Sequence, residues 1–273
     1  MDRMKPFILA YYEYDSIRGF FMKRLKLCVL IITIIFVIMY VRNVFKIINE
    51  RDKDVNVKVD VSKEKQEIKK VLTSNKDKII IIDAGHGGKD PGKVGVNNQL
   101  EKDINLDIAF KLRDKLVSSG FSVIMTRTKD VGLYSEFDRN KKNADLKQRV
   151  NLINESDAIL AISIHQNAYQ SSKEKGAQVF YNSRSVIASE LASCVQNSFK
   201  QYHDKENKRV EKSNDSYYLL KKTIKPTIIV ESGFLSNPDE ANKLMLKTYR
   251  ESIARAICNG VIVWANEIIE CIY

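Results

Sequence analysis

Three short apolar segments constrain the fold of this chain more than any other feature. They read KIIIIDAG at 78–85, AILAISIHQNA at 158–168 and PTIIVESGF at 226–234. Nearly continuous runs of β-branched and aliphatic residues of this length are typical of strands that are buried on both faces of a sheet. Because glycine or polar residues follow each run, we expect three central strands that end in loops.

Amphipathic helical patterns alternate with these strands. A helix is predicted at 105–120, where apolar residues recur at 104, 108, 112 and 116, and another at 146–156. Further strands are predicted at 121–127 and 176–182, a helix at 186–202, and mostly helix at 239–266. Alternation of strands and helices predicts one α/β domain with helices on both faces of its sheet.

An apolar run near the N-terminus predicts a membrane segment. Residues 27–41, LCVLIITIIFVIMYV, follow the basic residues Lys23, Arg24 and Lys26. A basic flank before an apolar run is the layout of a secretory signal or a signal anchor. No small-x-small cleavage site follows, so we favour an uncleaved anchor at 25–45.

The anchor divides the rest of the chain. Residues 1–24 are expected to be a cytoplasmic tail. Alternatively, translation starts at Met22, because the stretch MKRLKLCVL that begins there has the basic start of a signal sequence. Residues 46–77 read as a charged spacer and 78–273 as the globular domain. The positive-inside rule places the domain outside the cytoplasm.

Charge and cysteine content exclude little. The net charge of +11 attracts the chain to anionic surfaces, but no RNP-like signature or zinc-finger spacing supports nucleic acid. The four cysteines, at 28, 194, 258 and 271, form no CxxC pair. We interpret the three in the domain as small buried hydrophobes, with no disulfide implied.

Four side chains form a candidate site. His86 and His165 each follow a buried strand, and parallel strands bring their carboxyl ends to one edge, which suggests a metal. Glu101 begins a helix, and Glu231 ends the third strand. One carboxylate can complete a zinc site while the other accepts a proton from water. Taken alone, Glu101 is equally consistent with an acidic residue that the helix dipole favours at a helix N-terminus. Glu231, taken alone, is consistent with a buried carboxylate that pairs with a lysine. His203 is expected to be solvated in a charged loop at 203–216.

The four sequence blocks around these residues add a resemblance. DAGHGGKDPG, LEKDINLDIAFKL, SIHQNA and VESGFLSNPDEANKL occur in this order between residues 78 and 268. This chain thereby resembles the zinc-dependent N-acetylmuramoyl-L-alanine amidases, above all their spore-cortex germination members. The resemblance implies a twisted, mostly parallel sheet of about six strands. It also implies one zinc ion bound by His86, Glu101 and His165, with Glu231 as the catalytic glutamate.

The resemblance also implies a substrate and a location. Such enzymes cleave peptidoglycan at the amide between N-acetylmuramic acid and L-alanine, here for muramic-lactam formation in the spore cortex. The chain would act at the outer face of the cytoplasmic or forespore membrane. The glycines at 85, 87 and 88 are expected to leave space for the polymer. Asp83 is a candidate partner for the second nitrogen of an imidazole.

Several alternatives stay open. A vegetative cell-wall amidase would carry the same four blocks. Zinc peptidases usually carry HxxE or HExxH, and neither follows either strand-end histidine. A catalytically silent wall-binding module would be expected to lack one of the four site residues. A separate activator protein is a further expectation, and the basic stretch 205–212 is its candidate docking surface. The sequence leaves the oligomeric state open.

Overall fold

The computed structural model describes Thr33, residues 36–42 and residues 61–270. The chain divides into two units, Met1–Val59 and Asp60–Tyr273. In the first unit, Thr33 and residues 36–42 are helical, and the apolar side chains at 36–41 are exposed. The rest of the predicted anchor at 25–45, and the tail at 1–24, lie outside the described residues. The anchor therefore stays a prediction.

The second unit is built around one six-stranded sheet. Its strands are β1 (Ile79–Ala84), β2 (Ser122–Met125), β3 (Leu160–Asn167), β4 (Gln178–Tyr181), β5 (Lys212–Ser213) and β6 (Thr227–Phe234). The strand order is β2-β1-β3-β6-β4-β5. All neighbouring pairs are parallel except β4 with β6. The three apolar segments that the sequence marks as strands form the adjacent strands β1, β3 and β6.

Seven helices accompany the sheet within residues 61–270. They are α1 (Val61–Thr73), α2 (Glu101–Ser118), α3 (Lys141–Glu155), α4 (Val186–Tyr202), α5 (Tyr218–Lys222), α6 (Pro238–Met245) and α7 (Lys247–Glu270). Side chains fix three of the helix starts: Asn140, Ser185 and Asn237 each accept a hydrogen bond from a backbone N–H of the first turn. The segment predicted as mostly helical at 239–266 is thus two helices.

Strand side chains alternate between two cores. Ile80 and Ile82 of β1 belong to the larger core, which also contains the buried faces of α2, α4 and α7. Ile81, between them, packs on the opposite face with residues of α3 and α5. Successive side chains of a strand point to opposite faces of the sheet, and here helices cover both faces. The predicted α/β class, with a mostly parallel sheet and helices on both faces, is confirmed.

The predicted start of the domain near Lys78 is too late. The compact unit begins at Asp60 and includes α1, which the sequence assigns to the charged spacer. Ile68 and Leu72 of α1 are buried in the larger core, and α1 contacts α7 and α4. Spacing of four residues places both side chains on one helix face. Because lysines and glutamates occupy the other faces of α1, the sequence pattern does not reveal this narrow apolar stripe.

Among the described residues, one helix is long and apolar enough to cross a membrane, and it is α7. Its most apolar window is 56% buried inside the protein. The helix packs against α2 and α4 and carries the fully buried Trp264. Its apolar character is therefore that of a core helix, and it has no bearing on the predicted N-terminal anchor.

His203 is packed rather than solvated, so that prediction was wrong. Its Nδ1 lies 2.6 Å from the Ser252 hydroxyl oxygen, and its ring contacts those of Phe199 and Tyr249. Its Nε2 is buried and has no hydrogen-bond partner among the described residues. Burial lowers the pKa of the His203 imidazole to about 4.

The stretch 205–212 is likewise part of the fold. The buried Asn207 donates to the carbonyl of Ala177, just before β4. Arg209 donates to the Glu174 carboxylate at 2.6 Å and to the Lys175 carbonyl at 2.7 Å. These contacts anchor the stretch beside the sheet at Asn207 and Arg209, whereas most of its other side chains are exposed. Its role as a docking surface therefore stays a prediction.

Candidate metal centre and active site

Two of the candidate residues share a register position at the carboxyl edge of the sheet. His165 of β3 lies directly opposite Glu231 of β6 in a parallel pair. Gly85 follows the end of β1, which pairs with β3 through Ala84 and Ile164. Side chains at matched positions of neighbouring strands project from the same sheet face. The sheet itself therefore brings His165 and Glu231 together.

Three donor atoms converge at this edge. Nε2 of His86 lies 3.2 Å from Oε1 of Glu101, and Nδ1 of His165 lies 3.0 Å from the same oxygen. The two imidazole rings are edge to face, with centroids 4.9 Å apart. All three ligand atoms lie within 4.8 Å of one another. Two histidines and one carboxylate so arranged can hold a metal ion.

Glu101 is fixed by backbone contacts rather than by a capping role. It is the first residue of α2 and is only 3% exposed, and α2 has no side-chain N-cap. Its Oε2 accepts the backbone N–H of Lys93 at 2.7 Å, and Oε1 accepts that of Gln166 at 3.1 Å. Burial opposes ionisation, but hydrogen bonds and charge from His165 and His86 outweigh it, so the pKa of Glu101 lies well below its usual range.

His86 has an unusual backbone conformation and a partner that sequence reasoning missed. Its φ is 63°, a left-handed conformation that costs a non-glycine residue about 1–2 kcal/mol. Its Nδ1 lies 2.8 Å from Oδ2 of Asp90, which leaves Nε2 facing Glu101. A carboxylate on one ring nitrogen fixes the tautomer and orients the other. A carboxylate four residues downstream, in HGGKD, was the available signal.

Asp83 does not serve an imidazole, so that prediction was wrong. It is buried beneath the site and accepts hydrogen bonds from Thr126 at 2.8 Å and Ser163 at 2.6 Å. Its third partner is the guanidinium of Arg149, at 2.6 Å. Burial raises the pKa of Asp83, but Arg149 and the two hydroxyls outweigh burial and hold the pKa at about 2. Asp83 is thus the anion of a buried ion pair.

The fourth candidate, Glu231, sits beside the cluster without a fixed partner. It is 8% exposed, and its Oε2 is buried with no hydrogen-bond partner in the described part of the chain. The lysine partner that the sequence left open is not seen there. Burial raises the pKa of Glu231 to about 7; Glu101 adds to this rise, while His165 and His86 oppose it. A carboxylate with such a pKa can both accept and return a proton near neutral pH.

The glycines near His86 make room for the protein itself. A Cβ on Gly85 would lie 2.3 Å from the His165 ring, so the imidazole occupies the space that a side chain would need. A Cβ on Gly87 would lie 2.3 Å from the Val131 carbonyl oxygen, and one on Gly88 would also meet backbone. The expectation that these glycines leave space for a polymer was wrong.

Comparison with known proteins decides the family. The family model described as N-acetylmuramoyl-L-alanine amidase matches residues 80–263, which include all of the sheet except Ile79 and all four candidate residues. The chain belongs to the N-acetylmuramoyl-L-alanine amidase family. The amidase is a hydrolase, its substrate is peptidoglycan, and it acts on the extracytoplasmic side, where the cell wall lies.

Named relatives agree with this assignment. The amidase is 40% identical, over 193 residues, to the germination-specific N-acetylmuramoyl-L-alanine amidase of Bacillus subtilis (strain 168); the match covers 70% of this chain and 81% of that protein. The solved CwlD amidase of Clostridioides difficile, in complex with the GerS lipoprotein, is 43% identical with a TM-score of 0.68, covering 70% of this chain and 100% of that one. The N-acetylmuramoyl-L-alanine amidase of Clostridium difficile 630 is 32% identical with a TM-score of 0.62, covering 71% and 98%.

Proposed function

We propose that the amidase is zinc-dependent, with His86, Glu101 and His165 as ligands and Glu231 as the general base and acid. The single observation that carries this proposal is the convergence of three donor atoms beside a buried carboxylate whose Oε2 has no hydrogen-bond partner among the residues that the structure describes. Buried polar atoms are normally hydrogen-bonded, so an orphan aimed at a site calls for a ligand or a reacting group.

The donor set fits zinc. Ligands about 2.0–2.1 Å from a tetrahedral zinc ion lie about 3.3 Å from one another. Oε1 of Glu101 lies 3.2 Å from the His86 nitrogen and 3.0 Å from the His165 nitrogen, close to that spacing. Three protein ligands leave one position open, as catalytic zinc sites require. The Asp90 contact supplies the outer partner that metal-binding histidines usually have.

Amide hydrolysis divides between the zinc ion and the protein. When bound, zinc acidifies water and polarises a carbonyl group. Glu231 accepts the proton of the attacking water and returns it to the leaving nitrogen of L-alanine. Burial raises the pKa of the Glu231 carboxyl above its ordinary value, which makes the carboxylate a stronger proton acceptor. His165 and Glu231 lie at matched positions of adjacent parallel strands, so the sheet holds the proposed base beside one proposed ligand.

We further propose a role in the spore cortex. The relative from Bacillus subtilis is named germination-specific, and the match covers 70% of this chain and 81% of that protein. Cleavage of the stem peptide from N-acetylmuramic acid leaves a free lactyl carboxyl group, which muramic-lactam formation requires. If cells that lack this protein make spores whose cortex has no muramic lactam, the result supports this role. If the cortex of those spores is normal, the result favours a vegetative wall amidase instead.

Two further proposals concern the surroundings of the enzyme. The similar CwlD amidase is solved in complex with a lipoprotein, so we propose that this amidase also works with a separate accessory protein. The apolar residues at 25–45 would hold the catalytic unit at the outer face of the membrane. Cysteine labelling in intact cells tests the topology, and labelling of the catalytic unit only after membrane disruption would contradict it.

Product analysis tests the proposed reaction. The purified full-length chain, loaded with zinc, is incubated with peptidoglycan, and the new chain ends are identified. Free amino groups on L-alanine, together with stem-free muramic acid, are the expected products. New amino termini on D-amino acids would indicate a peptidase. No product, with wall binding retained, would indicate a silent binding module.

A further inference from the structure

Two buried arginines lie beneath the loop that carries His86. Arg127 follows strand β2 and is 3% exposed, and Arg149 belongs to α3 and is 2% exposed. Neither side chain is among the proposed ligands or proton-transfer groups. Fully buried guanidinium groups are rare unless they are paired and hydrogen-bonded, so their partners indicate what they do.

Their hydrogen bonds converge on three consecutive carbonyl groups. Arg127 donates from Nε to the Ala84 oxygen at 2.9 Å and from Nη2 to the Gly85 oxygen at 3.0 Å. Arg149 donates from Nη1 to the same Ala84 oxygen at 2.8 Å and from Nη2 to the His86 oxygen at 2.7 Å. The backbone on which His86 takes its left-handed conformation is therefore held from below at every carbonyl from 84 to 86.

The same side chains connect this loop to the rest of the site. Nη2 of Arg127 also donates to the Lys102 carbonyl at 2.7 Å, directly after Glu101 at the start of α2. Arg149 is itself fixed by Asp83 and Asp145, each at 2.6 Å. Arg127 thus links the backbone beside His86, at Gly85, to the backbone beside Glu101, at Lys102. Arg149 is held to the sheet by Asp83 and to its own helix by Asp145.

We propose that Arg127 and Arg149 are positioning residues that set the zinc affinity of the site. They hold His86 and Glu101 at the separation that the metal requires before the metal arrives. The inference rests on the proposed function, because it takes His86 and Glu101 as ligands. Arginine is needed because its planar fork reaches two carbonyl groups at once, whereas the compact ammonium of lysine cannot copy this geometry.

The test uses Arg127→Lys and Arg149→Lys in the full-length chain, with Arg250→Lys as the matched control. Arg250 also pairs with an aspartate, Asp107, and donates to two backbone carbonyls, but none of its partners is a site residue. Three quantities are measured: zinc affinity by chelator competition, amide hydrogen exchange of residues 84–90 without metal, and thermal unfolding.

We expect each site variant to bind zinc on the order of 10- to 100-fold more weakly, the usual effect of losing an outer-shell partner. Amide exchange at 84–90 should also become faster in the metal-free protein. Arg250→Lys should change thermal unfolding without changing either quantity. Because Arg149 also forms two buried ion pairs, Arg127→Lys decides the matter if Arg149→Lys does not fold.

Two results would overturn the inference. Folded site variants with the zinc affinity of the wild type would show that the arginines only stabilise the domain. Equal loss of zinc affinity in Arg250→Lys would show the same. In both cases the wild-type chain still binds zinc, so the proposed function stands. A wild-type chain that binds no zinc would overturn the proposed function and this inference together.

Discussion

His165 and Glu231 lie directly opposite each other on adjacent parallel strands, so the sheet sets the separation between a proposed ligand and the proposed base. Backbone hydrogen bonds along β3 and β6 fix this relationship without help from any loop. His86 and Glu101, in contrast, reach the site from a loop and from a helix start. The site therefore combines one pair of residues that the sheet holds rigidly with two residues whose positions depend on contacts from other parts of the chain.

Removal of either histidine should abolish zinc binding. We expect about one zinc ion per wild-type chain, and almost none in His86→Ala or His165→Ala, because two remaining ligands hold zinc poorly. His203→Ala is the control, since His203 packs against α7, and its contacts with Ser252 and Tyr249 involve no site residue. Elemental analysis measures this. Full zinc in either ligand variant would remove that histidine from the site.

Loss of the Asp90 carboxylate should weaken the site without destroying it. Asp90→Asn keeps the shape of the side chain but removes the anion that fixes the His86 tautomer. We expect zinc affinity to fall on the order of 10- to 100-fold. Asp107→Asn, at a carboxylate that pairs with Lys111 and Arg250, is the control. Chelator competition measures both variants, and an unchanged affinity in Asp90→Asn would contradict this role.

A methyl group at Gly85 should displace His165. The new Cβ would lie 2.3 Å from the imidazole ring, far inside contact distance, so the ring must move. Gly85→Ala should therefore lose most zinc binding and activity. Gly233→Ala is the matched control, since its Cβ would meet nothing nearer than 3.5 Å. If Gly85→Ala binds zinc as the wild type does, the ring is not held where the structure places it.

His203 should make the protein less stable in acid. Its folded-state pKa of about 4 lies below the ordinary value of 6.5, so the unfolded chain binds the proton more readily. The neutral imidazole stabilises the fold fully above pH 6.5, and this contribution is lost as the pH falls toward 4. The loss is on the order of 3 kcal/mol.

His203→Gln isolates this effect, because glutamine does not titrate. The Tm of both proteins is measured without metal from pH 7 to pH 4. As the pH falls, the Tm of the wild type should fall further than the Tm of the variant. A difference that stays constant over that range would show that His203 does not titrate with the lowered pKa.

The sequence predicts the centre of the fold better than its margins. The runs of β1, β3 and β6 are long and apolar, and a strand buried on both faces permits little else. The five-residue α5 and two-residue β5 are too short to show a period. In α1, two buried residues stand among charged ones, so the helix reads as solvated.

The candidate site follows the same division. His165 and Glu231 are recognisable because each ends an apolar strand, and the sheet does the rest. For Asp90 the sequence offers only the signal of a carboxylate four residues after His86. Arg127 and Arg149 could not be assigned from the sequence, because their roles depend on how loops fold over the sheet edge. The sequence suggested Asp83 as the partner of an imidazole, but the structure shows that its charged partner is Arg149.

The most direct test of the account compares Glu231→Gln with the wild-type chain at equal zinc content. Glutamine keeps the shape of the side chain but cannot accept a proton. Zinc per chain is measured together with the release of L-alanine amino termini from peptidoglycan. We expect one zinc ion in both proteins and a rate lower by on the order of 10² to 10⁴ in the variant. Loss of zinc in Glu231→Gln, or undiminished release of L-alanine termini with zinc retained, would contradict it.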